Sequence, residues 1–276
     1  ISTYSMWYLI IQHEWYVHNG NIDFLRHHRA YITGVIDRID ECVDEEGNEN
    51  LAKQRFLDWP SSPNQPGVEA GCRALLSWAL KDAEVLCNLL EEQEHAKKCR
   101  AISKRLKKQI KQPNGLKQAA ALMSIAGLMK PEQACSEVIS VDGAKDFSTF
   151  YGYYMLQALA QAGEYQQALD IIRQYWGGML DLGATTFWED FNLDWIHNAA
   201  RLDDFVPEGK DDIHGDFGDY CYPSFRHSFC HGWASGPTPW MTQHILGVEI
   251  VDAGCKTLRL SLIHISEPTR LGMISY

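Results

Sequence analysis

Apolar residues recur every three or four positions along most of this chain. Tyr4, Trp7, Tyr8, Ile11 and Trp15 fall on one helical stripe, and Gly20 supplies a stop. The pattern repeats from Phe24 to Val43. From Asp44 to Val68 it breaks at Gly47, Pro60, Pro63, Pro66 and Gly67, which predicts a long loop. Loops of that length inside a compact domain are usually functional or disordered. Helical spacing resumes from Glu69 to Leu90, Glu92 to Lys111, Leu116 to Met129 and Pro131 to Ile139. It continues from Phe147 to Ala162 and from Tyr165 to Leu180. A polar stretch rich in Gly and Asp follows, from Asp181 to Tyr222. A last helix is predicted from Ser228 to Leu246, and Ile250 to Leu258 alternates weakly, as a strand would.

Successive helices with short joins and almost no strands define an all-α chain: a bundle, a solenoid or a toroid of hairpins. The run from Leu159 to Leu169 reads like a tetratricopeptide turn, but no second copy occurs at a fixed period, which disfavours the solenoid. With 276 residues and 45% hydrophobic content, the chain can bury a large core. Its net charge of −11 argues against nucleic acid as a partner. The one basic run, Lys97 to Lys111, repeats at helical spacing and reads as a solvated helix face. None of the 8 cysteines is spaced C-x-x-C, so no metal site or redox motif is expected, and no cofactor is implied. No apolar run is long enough to span a bilayer.

Two segments carry chemistry. The first is Gly183-Ala184-Thr185-Thr186-Phe187-Trp188-Glu189-Asp190-Phe191, and the second is Ser228-Phe229-Cys230-His231-Gly232-Trp233 through Trp240 to Ile245-Leu246-Gly247. Together with Phe150-Tyr151-Gly152-Tyr153-Tyr154 and the Asp58-Trp59 loop, they resemble the end of the catalytic domain in glycoside hydrolase family 78, the α-L-rhamnosidases. The resemblance covers roughly Tyr4 to Arg259. It implies an incomplete (α/α)6 barrel, a six-hairpin toroid over residues 1–248, with residues 249–259 opening a C-terminal β domain. It also implies hydrolysis of terminal α-L-rhamnosyl residues with inversion. The substrate would be a rhamnose-containing glycan or glycoside, and the setting leans to periplasmic or secreted.

By this resemblance Glu189 holds the general-base position. Beside Trp188 and after two threonines, such a carboxylate sits in a half-apolar turn suited to taking a proton from water; the alternative is a surface loop glutamate. His231 matches the family's sugar-contacting histidine, against the alternative of a core histidine. Trp59 is the candidate platform for a sugar face and Asp58 for its hydroxyls, while Trp188 and Tyr151 are candidate pocket walls. The family's general acid belongs to an Asp-Glu-Arg segment that does not occur here, so no residue is assigned as acid, and a chain cut at both ends is expected. The Asp211 to Asp219 stretch lacks the spacing of a calcium loop and reads as solvated.

The final residues, from Leu260 to Tyr276, contain LSLIHISEPTR and ISY, and resemble the in-frame translation of a sequencing adapter. They are expected to be extended and exposed. Two other readings stay open: a different six-hairpin carbohydrate enzyme, and a non-enzymatic helical-repeat binding module.

Overall fold

The computed structural model describes residues 2–51, 55–217 and 224–261. Among these are nine α-helices and one two-stranded sheet. The helices are α1 (Thr3–Asn19), α2 (Ile22–Asp40), α3 (Gln65–Leu89), α4 (Gln93–Leu106), α5 (Lys117–Ile125), α6 (Pro131–Ala134), α7 (Gly152–Gln161), α8 (Tyr165–Asp181) and α9 (Pro237–His244). A π-helical turn, Cys135–Ile139, extends α6.

The odd-numbered helices form an inner series. Helices α1, α3, α5, α7 and α9 pack side by side in that order, while α2 lies against α4 outside, α6 backs α5 and α7, and α8 backs α7. This is a curved row of helical hairpins. Its core runs through Leu9, Leu75, Leu76, Ala120, Leu122, Leu156 and Trp240 on the inner helices, all fully buried. Small residues permit the close approach. An ideal Cβ on Gly152 would lie 2.7 Å from the Trp176 ring, so the first turn of α7 can meet α8 only as glycine.

Local signals set the helix ends. The Asn21 side chain accepts from the amides of Asp23 and Phe24 to start α2. Asn64 accepts from Gly67 N–H, and a proline in the first turn needs no donor, so α3 begins inside the segment expected to be loop. Gly20, at φ +66°, closes α1 with its N–H on the Tyr16 carbonyl.

The predicted helix from Ser228 to Leu246 is corrected. Only Pro237–His244 is α-helical, preceded by a 3-10 turn at Gly232–Ala234. Gly232, Gly236 and Pro237 interrupt the backbone, and proline is tolerated only in a first turn. Residues 147–151 likewise lie outside α7. The weak strand is a hairpin of β1 (Val248–Asp252) and β2 (Thr257–Leu260), antiparallel with Val248 opposite Leu260. It packs on both α9 and α1.

The cations of α4 are largely engaged with acids, Lys98 with Asp37, Arg105 with Asp40 and Arg100 with Glu84 among them. Cys72, Cys87, Cys99 and Cys135 are buried free thiols, as small apolar side chains would be. No helix among the described residues is long and apolar enough to cross a membrane. Gly218, Asp219 and Cys221, and all but Leu260 and Ser261 of the adapter-like tail, lie outside the described residues.

Candidate active site

The segments that lead into inner helices α3, α7 and α9 meet at one end of the row. Helix α8 ends at Asp181, and Gly183, at a φ of +90°, turns the chain back two residues later. Residues 187–189 then run beside residues 228–231. Glu189 N–H donates to the Ser228 carbonyl at 2.8 Å, and His231 N–H donates to the Phe187 carbonyl at 2.8 Å. This short ladder brings together two motifs separated by about 40 residues of sequence.

Extended backbone points neighbouring side chains to opposite sides. Glu189 therefore faces a cleft while Trp188 faces the core, fully buried against Phe191, His227 and Phe229. The expectation that Trp188 walls the pocket is corrected on this ground. Tyr151 is corrected too. It is fully buried among Trp7, Phe150 and Tyr154, and burial pushes its phenol well above the ordinary range.

Glu189 is held at three points. Its Oε2 accepts Ser228 N–H at 3.0 Å, and its carbonyl accepts Thr149 Oγ1–H at 2.5 Å and the Trp233 indole N–H at 2.8 Å. Its Oε1 lies 3.6 Å from His231 Nε2, with the two side chains 13% and 33% exposed. His231 Nδ1 accepts Trp233 N–H, so the neutral ring carries its proton on Nε2, toward Glu189. Trp233 tilts over His231 with ring centroids 4.1 Å apart, and stacks on Phe150 at 5.4 Å.

A small, narrow cleft opens here, lined by Asp58, Trp59, Pro60, Ser148, Thr149, Phe150, Glu189, Asp190 and Trp233. Trp59 is half-buried and meets Phe56 edge-on. Asp58 reaches the cleft wall, but its carboxylate is already bonded by protein. Oδ1 accepts Ser61 N–H at 3.1 Å, and Oδ2 accepts Ser148 Oγ–H at 2.7 Å and Gln118 Nε2–H at 3.2 Å. Burial raises its pKa above the usual carboxylate range, and these donors oppose the rise. His227, just behind, accepts Asp190 N–H, and burial lowers its pKa to about 4.

Glu189, His231 and Trp59 are thus at one site, with Asp58 behind them and Trp188 and Tyr151 in the core. The sequence reading missed Trp233, Thr149 and Ser148. Trp233 sits two residues past His231, and that adjacency was the available signal. No trio of His, Cys, Asp or Glu that could hold a metal occurs among the described residues.

The hairpin row, with its site at the segments entering the inner helices, is all-α and has the architecture of an incomplete six-hairpin helical toroid. Solved structures like it include two rhamnosidases. One is the glycoside hydrolase family 78 rhamnosidase of Bacillus sp. GL1, at a TM-score of 0.66 and 20% identity, covering 92% of this chain and 27% of that one. Another is the rhamnosidase from Klebsiella oxytoca with rhamnose bound, at a TM-score of 0.65 and 19% identity, covering 88% of this chain and 47% of that one. The chain spans less than half the length of either. At these identities the likeness establishes a shared fold. No protein-family model and no curated protein matches the chain.

Proposed function

We propose that this chain carries the general-base side of a glycoside hydrolase that removes terminal α-L-rhamnosyl residues with inversion. The observation that carries the reading is the Glu189 carboxylate. One oxygen is anchored by a backbone amide and the other faces a half-exposed imidazole, at a cleft flanked by two tryptophans. Inverting hydrolysis needs one carboxylate to take a proton from the attacking water while a second carboxyl, roughly 6.5–9.5 Å away, protonates the leaving oxygen. Glu189 takes the first role. His231 Nε2–H and the rings of Trp59 and Trp233 bind the sugar, whose C6 methyl widens its apolar face. The fold shared with two rhamnosidases supports this substrate class.

The second carboxyl is assigned to no residue of this chain. Asp58 is bonded on both oxygens, and Asp190 Oδ1 accepts the amide of Phe191. We place the acid in a part of the enzyme outside these residues. In the same reading residues 1–248 belong to the catalytic domain, residues 249–259 open a β unit, and the remainder is adapter-derived.

Titration of the chain with L-rhamnose, followed by tryptophan fluorescence, tests the proposal. Saturable binding that weakens in His231→Ala supports it. Equal response to L-rhamnose and to D-glucose, or none to either, removes it.

A further inference from the structure

Asp58 has an unusual place beside the cleft. It is 5% exposed, yet it is ringed by donors from three separate parts of the chain. Ser61 lies in its own loop, Gln118 on α5, and Ser148 in the segment entering α7. The loop adds reciprocal bonds, with the hydroxyls of Ser61 and Ser62 donating to the Asp58 carbonyl at 2.9 and 3.1 Å. Ser148 is fixed from the other side as well, because its Oγ accepts Tyr151 N–H at 3.3 Å. The next residue, Thr149, donates its hydroxyl to the Glu189 carbonyl, which also accepts the Trp233 indole. A continuous path therefore runs from Asp58 through Ser148 and Thr149 to the backbone of Glu189.

We propose that Asp58 is a positioning residue that sets the Glu189 turn through Ser148 and Thr149, and does not itself bind sugar. The inference rests on the reading of Glu189 as the functional carboxylate. The physical argument is one of donors. A carboxylate is acceptor-only and can take three donors at once, whereas any neutral replacement of the same size brings donors of its own. Three hydrogen bonds to a buried carboxylate also make the loop positions interdependent. Losing the charge frees Ser148 to turn away, and Thr149 moves with it. Lys117 holds the preceding part of the same segment, donating to the carbonyls of Val141 and Gly143 at 2.7 Å each. The segment from 141 to 149 is therefore held near its start by Lys117 and at Ser148 by Asp58.

The indole N–H of Trp233 reports on the Glu189 carbonyl, so ¹⁵N-labelled tryptophan in the chain supplies the readout. The Trp240 indole, bonded to the Leu156 carbonyl at 2.9 Å, serves as an internal reference. In Asp58→Asn the Trp233 signal should move by more than its linewidth while the Trp240 signal stays. Combining Asp58→Asn with Gln118→Glu exchanges donor and acceptor between the two positions. The amide introduced at position 58 can then donate to the carboxylate introduced at position 118, but the Ser148 hydroxyl, which shares that oxygen, still lacks its acceptor, so the Trp233 signal should stay displaced; its full return would place the control at Gln118 and overturn the route through Ser148. L-rhamnose binding should weaken roughly tenfold in the single variant, the scale of one charge-assisted hydrogen bond, and stay weak in the double one. If Asp58→Asn does not fold, Ser148→Ala removes one link and should move the same signal. A Trp233 signal unmoved in a folded Asp58→Asn or Ser148→Ala chain overturns the proposal. Absence of rhamnose binding in the unaltered chain would count against the rhamnosidase reading alone, because the indole shift needs no ligand.

Discussion

His231 Nε2 faces Glu189 Oε1 across 3.6 Å, while the other carboxylate oxygen is pinned by Ser228 N–H. The carboxylate thus has one constrained oxygen and one directed at a proton donor and the cleft. A general base needs this asymmetry, since its reactive oxygen must hold a water in one place. Both partners come from the same ladder, so the geometry is set by backbone pairing.

In the complete enzyme, Glu189→Gln should lower turnover by about 10²–10⁴-fold on a natural rhamnoside and on a nitrophenyl rhamnoside alike. Loss of an acid would spare the nitrophenyl substrate, whose leaving group needs little protonation. Proton NMR of the first product should show inverted configuration. Retained configuration would reassign Glu189 to a double displacement.

The chain by itself should not hydrolyse a natural rhamnoside, whose leaving oxygen needs protonation, because the cleft carboxylates other than Glu189 are already bonded. A sensitive release assay on purified chain checks this. Robust turnover would place the acid within these residues.

Trp59→Ala should weaken L-rhamnose binding by about 2- to 12-fold, corresponding to about 0.5–1.5 kcal/mol for one aromatic face. Trp59 is half-buried at the cleft edge, so the unfolding midpoint should change little. A large fall in midpoint with unchanged affinity would make Trp59 a rim-packing residue.

Two glycines should respond oppositely to alanine. Gly152→Ala forces a Cβ into the Trp176 ring and should cost about 1–3 kcal/mol. Gly177, inside α8, has no heavy atom within 4 Å of an ideal Cβ, and Gly177→Ala should stabilise by about 0.5–1 kcal/mol. Urea denaturation of both variants decides the matter.

His227 should make stability fall with acid. Its pKa is about 4 when folded, against a usual value of 6.5, because burial disfavours the imidazolium. Between those values the unfolded chain binds a proton that the folded chain refuses. The contribution is complete above about pH 6.5, declines as pH falls to about 4, and amounts to about 3 kcal/mol over that window. Buried Asp58, whose pKa is raised, acts in the opposite direction because there the folded chain binds the extra proton, so the informative quantity is the difference between the natural chain and His227→Gln from pH 7 to 4. Parallel curves would show that His227 is not held neutral.

The sequence exposed the helices well and the site unevenly. Period and caps located α1 to α5 and α8 to within a few residues. From 228 to 246 the period misled, because Phe229, Trp233 and Trp240 are spaced by 4 and 7 as on a helix while Gly232, Gly236 and Pro237 break the backbone. Glu189 and His231 were legible as motif members, but Trp188, one residue away, was not. Which of two neighbours faces a cleft depends on a pairing partner about 40 residues distant. Asp58 shows the same limit. Its acceptors are filled from positions 61, 118 and 148, and nothing adjacent in sequence announces Gln118 or Ser148.

The turn of the terminal hairpin touches the end of the first helix, where Gly254 N–H donates to the Val17 carbonyl at 2.8 Å and an ideal Cβ on Gly20 would lie 2.9 Å from Gly254 Cα. Two backbones cross here without side chains between them. This is a seam, joining positions 237 residues apart, so its loop can close only after most of the intervening hairpins have already gathered. A side chain at either glycine would unfasten the seam and leave the rest of the row folded. The curvature that brings α3, α7 and α9 to a common mouth would then lose its outermost restraint.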